Sequence, residues 1–219
     1  MQKNNSSSAR IPRILNQGSL SPAFGIRHKR ITRTALATLL ALLTATIPAQ
    51  AETVRDGDTA PEAQLLNEQG KPTQLHAEGR ATVMTFIFTR CAAMEFCPKM
   101  NSKFNELQAA IQKEGLQDQA RLLSITLDPE FDRPERLKEF SEAMEIDPAV
   151  WNFATGSKAQ IDRLTKDFRV FTETKDGVLN HTLCTALVRP DGTVEKIWRG
   201  NFWKPDDVLA KLRSLNQSK

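Results

Sequence analysis

The sequence contains only three cysteines among its 219 residues. Three thiols are too few for a scaffold held by disulfides, and they cannot all pair within one molecule. Internal repeats and low-complexity linkers are also lacking, and the length fits one domain or at most two small ones. With 40% hydrophobic and 26% charged residues, the composition excludes a collagen-like chain and a multi-span membrane protein and argues against wholesale disorder.

Acidic residues are absent from the first 51 positions, which carry seven lysines and arginines. The remaining 168 residues hold 23 basic and 26 acidic side chains, so the positive net charge of the chain comes from its N-terminal segment. A mildly acidic body has no basic surface for phosphate groups. Nucleic acid is therefore not an expected partner.

Residues 1–51 have the pattern of a secretory signal peptide. A basic cluster at Arg27–Arg30 precedes the apolar run Ala35–Ile47, and Ala49 and Ala51 supply the small side chains of a cleavage site. No cysteine lies near that site, which excludes a lipoprotein. We therefore expect cleavage after the leader and export of the rest of the chain.

The alternative to cleavage is an uncleaved anchor that associates the protein with a membrane. Its apolar run of 13 residues is well short of the roughly 20 needed to span hydrocarbon. We expect residues 52–219 to form one domain in the periplasm or another extracytoplasmic compartment. Thiols exported there meet an oxidising environment.

Strand and helix patterns alternate along the exported body. The apolar run Ala81–Thr89 predicts a strand buried on both faces, and apolar residues three or four apart predict a helix over Pro98–Lys113. The further predictions are strands at Arg121–Leu127 and Trp151–Ala154, helices at Arg133–Met144, Ser157–Phe168 (with Ser157 as N-cap) and Asp206–Leu215, and a hairpin of Cys184–Arg189 with Thr193–Trp198. This order predicts an α/β domain with a central mixed sheet flanked by helices, as in the thioredoxin-like fold.

Cys91 and Cys97 lie where the first buried strand gives way to a helix. Cys97 directly precedes Pro98, so we expect it at or next to the helix N-cap, where unpaired backbone N–H groups and the helix dipole lower the pKa of a thiol. Arg90 and Lys99 add positive charge nearby. Two thiols on either side of such a loop can close a disulfide, bind a soft metal ion, or do both. The alternative is two unrelated buried cysteines.

His181 is the histidine that fits best with these thiols. It lies at the mouth of a predicted strand, whereas His28 belongs to the leader and His76 has no evident partner. Two thiolates and one neutral imidazole would form a three-coordinate site, because thiolates favour Cu(I) and imidazole accepts copper or zinc. Taken alone, a histidine that enters a strand is more often a structural or surface residue.

Three further residues are weaker candidates for metal binding or catalysis. Cys184 follows His181 by three positions and would face the opposite side of a shared strand, so we expect it in the core rather than as a further ligand. Met94 can offer a thioether to copper but is more typical of loop packing. Glu95 is either a proton-transfer group or a solvated side chain.

Four segments resemble the SCO/SenC family, exported thioredoxin-fold proteins tied to copper delivery to cytochrome c oxidase. They are Thr85–Met100 with the cysteine pair and helix start, Ser124–Pro134 with an Asp-Pro and an Asp-x-Pro block, His181–Gly192 with the histidine and the hairpin, and Arg199–Trp203, which resembles the tail motif of a bacterial branch. The similarity extends over about Ala60–Leu212. The four motifs together are specific, whereas a thioredoxin-like corner alone is not.

The resemblance implies that Cys91, Cys97 and His181 are copper ligands and that the two cysteines also form a redox pair. It implies copper as the cofactor and a cytochrome c oxidase subunit, or another copper or thiol protein, as the partner. The sequence departs from the family in having five residues, 92–96, between the cysteines instead of three. A disulfide remains feasible across this longer loop, since it needs only Cα atoms about 4.4–6.8 Å apart.

Two functions of different classes therefore stay open. The first is a copper-handling protein that passes its ion to a partner by ligand exchange. The second is a thiol–disulfide oxidoreductase for exported proteins, in which the more exposed cysteine attacks and the other resolves the mixed disulfide. Peroxide reduction is more distant, because no Thr-x-x-Cys motif occurs at the loop, and a purely structural role leaves the cysteine pair and His181 unexplained.

Overall fold

A computed structural model describes residues 53–77, 79–91, 97–175 and 178–217. The predicted leader, Met94 and Glu95 lie outside these described residues. The elements, in chain order, are β1 (Leu65–Asn67), β2 (Pro72–Thr73), β3 (Ala81–Ile87), α1 (Cys97–Lys113), β4 (Ala120–Thr126), α2 (Pro134–Ala143), β5 (Trp151–Thr155), α3 (Lys158–Asp167), β6 (Thr172–Lys175), β7 (Val178–His181), β8 (Cys184–Val188), β9 (Val194–Arg199) and α4 (Pro205–Gln217).

A mixed sheet forms the centre of the domain. Within the described residues its seven strands follow the order β2-β1-β5-β4-β3-β8-β9. The central strands β3, β4 and β5 are parallel, and the strands on both sides of them are antiparallel. Every residue of β3 and β4 is buried, as expected for parallel strands covered on both faces. The predicted α/β fold with a central mixed sheet is confirmed.

Helices cover both faces of this sheet. One core cluster joins inward residues of α1, α2 and α4 to the sheet, including Phe104, Leu137 and Val208. The cluster on the other face includes Ile161 and Leu164 of α3. The three-or-four spacing of apolar residues in α1 thus reflects burial of one helix face, as the sequence predicts.

The predicted helix starts agree with local chemistry. Pro134 occupies the first turn of α2, where its missing N–H has no intrahelical partner to lose. The Ser157 hydroxyl accepts a hydrogen bond from the Gln160 N–H, and the Ser157 N–H donates to the Gln160 side-chain oxygen in a capping box at the start of α3. This arrangement contributes about 1 kcal/mol to helix stability. Across the described ranges, no helix combines the length and apolarity needed to cross a bilayer.

The hairpin of β6 and β7 departs from the sequence expectation. Residues 172–175 and 178–181 pair as a separate two-stranded sheet with Thr172 opposite His181. His181 therefore ends a strand of its own, and Cys184 begins the next one, so the two do not share a strand. The polar composition of this segment hides it, because an exposed ribbon has no buried face to produce alternation of apolar residues.

Candidate metal and thiol site

The three residues singled out from the sequence converge at one end of the central sheet. The Cys97 Sγ lies 3.6 Å from the His181 Nε2, although 84 residues separate them along the chain. The Cys91 side chain hydrogen-bonds to Cys97, and both cysteines are free thiols. The loop after β3, the start of α1 and the end of β7 thus each contribute one side chain.

Cys97 begins α1 as predicted, but its electrostatic surroundings differ from the expectation. The side chain is 2% exposed, and burial raises the pKa of its thiol far above the ordinary value, with the neighbouring Cys91 thiol adding to the rise. The Phe88 N–H acts in the opposite direction and does not outweigh burial. The expected lowering of the Cys97 pKa is therefore wrong, because loss of hydration penalises the thiolate more than the helix terminus stabilises it.

Arg90 does not add its charge to the thiol pair. Its guanidinium forms an ion pair with Asp128 at 2.5 Å and lies over the Phe131 ring, 4.1 Å from the centroid. The positive charge expected to stabilise a thiolate is instead neutralised by a carboxylate. This pairing removes a second reason to expect a lowered pKa for the Cys97 thiol.

His181 is held in the tautomer that a metal ligand requires. Its Nδ1–H donates to the Thr182 carbonyl at 3.1 Å, since a carbonyl can only accept, so the lone pair of Nε2 faces the Cys97 sulfur. Burial lowers the pKa of the imidazole, and the hydrogen bond to Thr182 partly offsets this effect. The ring also meets Phe88 edge-on, with centroids 5.8 Å apart. A neutral imidazole with a fixed tautomer is the form that binds soft transition metals.

Asp132 organises the loop that carries Cys91, a role that sequence reasoning missed. Its carboxylate is fully buried and accepts hydrogen bonds from the Thr89 N–H at 3.0 Å, the Thr89 hydroxyl, and the Thr126 hydroxyl at 2.6 Å. The Cys91 N–H then donates to the Phe88 carbonyl at 3.3 Å. The only sequence signal was the position of an acid between a predicted strand and a helix, within a motif that had no assigned task.

A family model described as SCO1/SenC matches residues 51–217. The chain belongs to the SCO1/SenC family. The match covers every described residue, including all three candidate ligands and Asp132. The resemblance found in four separate motifs is therefore confirmed at the level of the family.

Known members give this SCO1/SenC chain close points of comparison. It is 31% identical over 159 residues to the SCO1 protein homolog of Bacillus subtilis, covering 70% of this chain and 80% of that protein. A second relative is the structure of BsSco, described as a member of the Sco family of cytochrome c oxidase assembly proteins with a disulfide switch. It is 28% identical, with a TM-score of 0.64, and the match covers 78% of this chain and 100% of the other. Bradyrhizobium japonicum ScoI with copper bound is 25% identical with a TM-score of 0.59, covering 72% and 99%.

One pair of side chains in the candidate site is compatible with a shared metal ion. Cys97 Sγ and His181 Nε2 are 3.6 Å apart, so this sulfur and this nitrogen would be close enough to hold one ion together. In the part of the chain that the structure describes, no group of three His, Cys, Asp or Glu side chains forms a complete metal-binding cluster. Cys91, Cys97 and His181 therefore do not form a closed three-donor cluster in this arrangement.

Cys184 lies apart from the candidate site. It is 1% exposed and belongs to the core cluster on the α3 face of the sheet, whereas Cys97 belongs to the cluster on the α1 face. Burial raises the pKa of the Cys184 thiol to about 11. Its expected place in the core is correct, although the argument from one shared strand with His181 is not.

Proposed function

We propose that this SCO1/SenC protein is an exported copper metallochaperone that supports assembly of the copper site of cytochrome c oxidase. Cys91, Cys97 and His181 hold the ion. The observation that carries the proposal is the 3.6 Å contact between Cys97 Sγ and His181 Nε2, with Cys91 hydrogen-bonded to the same sulfur. Relatives described as copper-bound and as oxidase assembly proteins support the choice of metal and pathway.

The differing exposure of the ligands suits transfer as well as binding. Cys97 and His181 are buried, whereas Cys91 is partly exposed. An incoming thiolate or imidazole of the partner can therefore displace Cys91 first, while the buried pair still holds the copper ion. Two soft sulfur ligands favour Cu(I) over the harder divalent ions.

Anaerobic titration of the reduced protein with Cu(I) and a competing chelator tests the proposal. We expect one ion per chain, with Cys91→Ser, Cys97→Ser and His181→Ala each weakening affinity by about a hundredfold or more, since even outer-shell substitutions cost about 10–100-fold. Cys184→Ala and His76→Ala are matched controls, because each removes the same donor type away from the site. Equal copper retention by wild type, Cys91→Ser and His181→Ala would falsify the proposal.

Thiol–disulfide exchange is the second candidate, favoured by the unequal exposure of the two thiols. The partly exposed Cys91 is placed to attack a partner's disulfide, and the buried Cys97 beside it is placed to resolve the mixed disulfide. The partner's two sulfurs are then reduced while Cys91 and Cys97 become oxidised to one disulfide. Stoichiometric reduction of a disulfide peptide by the pre-reduced protein should require both cysteines and tolerate His181→Ala, and a strong loss in the histidine variant would contradict this second function.

Export rests on the pattern of the leader, with residues 1–51 removed and residues 52–219 as the mature domain. Expression of the full chain in a Gram-negative host, followed by fractionation and intact-mass analysis, tests this. We expect a periplasmic product that begins at Glu52. A membrane-bound product that retains its N-terminal segment would instead support the anchor.

A further inference from the structure

Two phenylalanine rings next to His181 are exposed to solvent. Phe202 is 91% exposed and Phe171 is 67% exposed, which are the largest values for large hydrophobic side chains among the described residues. With His181 they line a groove of about 620 Å³. We call the groove and its rim, formed by Arg169, Phe171, His181, Arg199 and Phe202, the Phe171–Phe202 surface.

The position of Phe202 is fixed by hydrogen bonds on both sides of it. The Lys103 Nζ donates to the Asn201 carbonyl at 2.7 Å and also to the Trp203 carbonyl. The Trp203 ring is buried and lies under the Lys103 ammonium, 4.6 Å from its centroid. Because its two neighbours are tied to α1, the ring of Phe202 is directed outward by the backbone rather than left there by a loose loop.

Phe171 is also held in place by backbone hydrogen bonds. Its N–H donates to the Thr182 hydroxyl at 3.0 Å, and its carbonyl accepts from the Thr182 N–H at 2.9 Å. Thr182 is also the residue whose carbonyl orients the His181 ring. The same short segment therefore fixes the ligand and the exposed ring beside it.

The charges on this surface are of one sign. The groove is lined by Arg169 and Arg199, and none of its described lining residues is acidic. Arg199 donates to the Phe168 carbonyl, and in the described ranges neither arginine lies within ion-pair distance of a carboxylate. Exposed aromatic rings flanked by arginines have the composition of interaction hot spots.

We propose that the Phe171–Phe202 surface is the docking site of the protein that exchanges copper or thiols with this chain, and that this partner presents an apolar patch rimmed by carboxylates. The inference rests on the proposed function, since it places the partner over the same site. Docking there brings the partner's receiving atoms next to His181. The rings provide apolar contact, and the arginines select an acidic partner and speed its approach.

A second copy of the chain is a poorer occupant of this surface. Face-to-face pairing of two copies would place arginines against arginines, and like charges across an interface oppose association. An anionic membrane would meet the arginines, but the groove between the rings calls for a protruding apolar group that a flat lipid surface does not supply. We therefore commit to a protein with carboxylates around an apolar patch.

Binding to the isolated copper domain of the cytochrome c oxidase subunit from the same organism tests the docking site. The chain is used as the host exports it, reduced and metal-free, and the dissociation constant is measured by calorimetry at low and high salt. We expect Phe202→Ser and Phe171→Ser each to weaken binding about tenfold or more. Arg169→Glu should weaken binding mainly at low salt, by about five- to tenfold, because exposed charges are screened at high salt.

Matched controls come from the opposite edge of the sheet. Leu66→Ser removes an exposed apolar side chain on β1, and Lys71→Glu reverses an exposed charge in the turn after it. Both should bind the oxidase domain within twofold of wild type. Cu(I) affinity of every surface variant, measured separately, should also stay within twofold, which separates docking from metal binding.

Each alternative outcome has a defined meaning. Unchanged binding in Phe171→Ser and Phe202→Ser, with normal copper affinity, overturns the docking site and leaves the proposed function intact. Failure of the wild-type protein to bind Cu(I) overturns the proposed function itself. Sedimentation that shows a dimer lost in Phe202→Ser, or arginine-dependent binding to vesicles with phosphatidylglycerol in place of the oxidase domain, overturns the acidic protein partner.

Discussion

Cys97 and Cys184 are nearly equal in burial and differ in what surrounds the sulfur. Their side chains are 2% and 1% exposed, and burial raises the pKa of both thiols. Cys97 has an imidazole nitrogen 3.6 Å away and a second thiol as hydrogen-bond partner. Cys184 lies in an apolar cluster at the start of β8, where its carbonyl accepts a hydrogen bond from the Thr85 hydroxyl at 2.9 Å.

This comparison shows that burial alone does not distinguish a functional thiol from a structural one. The difference lies in how the neighbouring donors are held. Cys184 is fixed by strand pairing on both sides of β8. It pairs with Arg199 of β9, and the next residue, Thr185, pairs with Thr85 of β3. The loop carrying Cys91 depends instead on the Asp132 carboxylate, which contacts Thr89 from 43 residues away. We therefore expect the position of Cys91 to be more sensitive than that of Cys184 to substitutions far away in the sequence.

Removal of the Asp132 carboxylate should have the largest effect on stability. Its local effect should be confined to the loop that carries Cys91 and should leave the surroundings of Cys184 unchanged. Asp132→Ala leaves the donors of the partly buried Thr89 and the buried Thr126 without their acceptor, so we expect a loss of about 3 kcal/mol in the free energy of unfolding. Asp132→Asn keeps one acceptor oxygen and should lose less. Urea denaturation measures both values.

Thiol labelling in the native state provides the local readout for the same variants. Iodoacetamide should react with Cys91 faster in Asp132→Ala than in wild type, while Cys184 stays protected until global unfolding. Labelling of both cysteines at one common rate would mean that Asp132 stabilises the whole domain and has no special relation to the Cys91 loop.

The same substitution at the two buried thiols should give the second-largest difference. Cys184→Ser places a hydroxyl in an apolar cluster, and we expect a cost of about 2 kcal/mol in the free energy of unfolding. Cys97→Ser should cost less than about 1 kcal/mol, because the new hydroxyl can donate to the His181 Nε2. Equal losses in thermal and urea unfolding would show that the imidazole does not satisfy the group at position 97.

Much of the fold follows from short-range patterns. The continuous apolar run at Ala81–Ile87, the helical spacing from Met100 to Ile111, and the cap at Ser157 each depend on neighbours within a few residues. These features were predicted correctly. The hairpin of β6 and β7 was missed because its residues are largely exposed, and an exposed ribbon carries no periodic apolar signal.

For the candidate site, the sequence predicts which residues take part but not the environment in which each one lies. Cys91, Cys97 and His181 were identified from residue type and from the family motifs, and the structure places Cys97 beside both of the others. The pKa of Cys97 could not be predicted, because a helix start is visible in the sequence and the burial of its first side chain is not. The role of Asp132 was also hidden, since it consists of hydrogen bonds to Thr89 and Thr126 that only the folded chain brings within reach.

The pH dependence of copper binding should separate the Cys97 thiol from the rest of the site. Because burial raises the Cys97 pKa, this thiol is protonated in the metal-free protein between pH 6 and 8, and copper must displace its proton. Each proton released makes the affinity rise about tenfold per pH unit. The slope of log affinity against pH should therefore fall by one in Cys97→Ser.

Burial lowers the His181 pKa, so the imidazole is already neutral over most of this pH range. The variant His181→Ala should therefore keep the wild-type slope while binding copper more weakly. A wild-type slope in Cys97→Ser would mean that copper does not bind through that sulfur, and Cys97 would then resemble Cys184 in function as well as in burial.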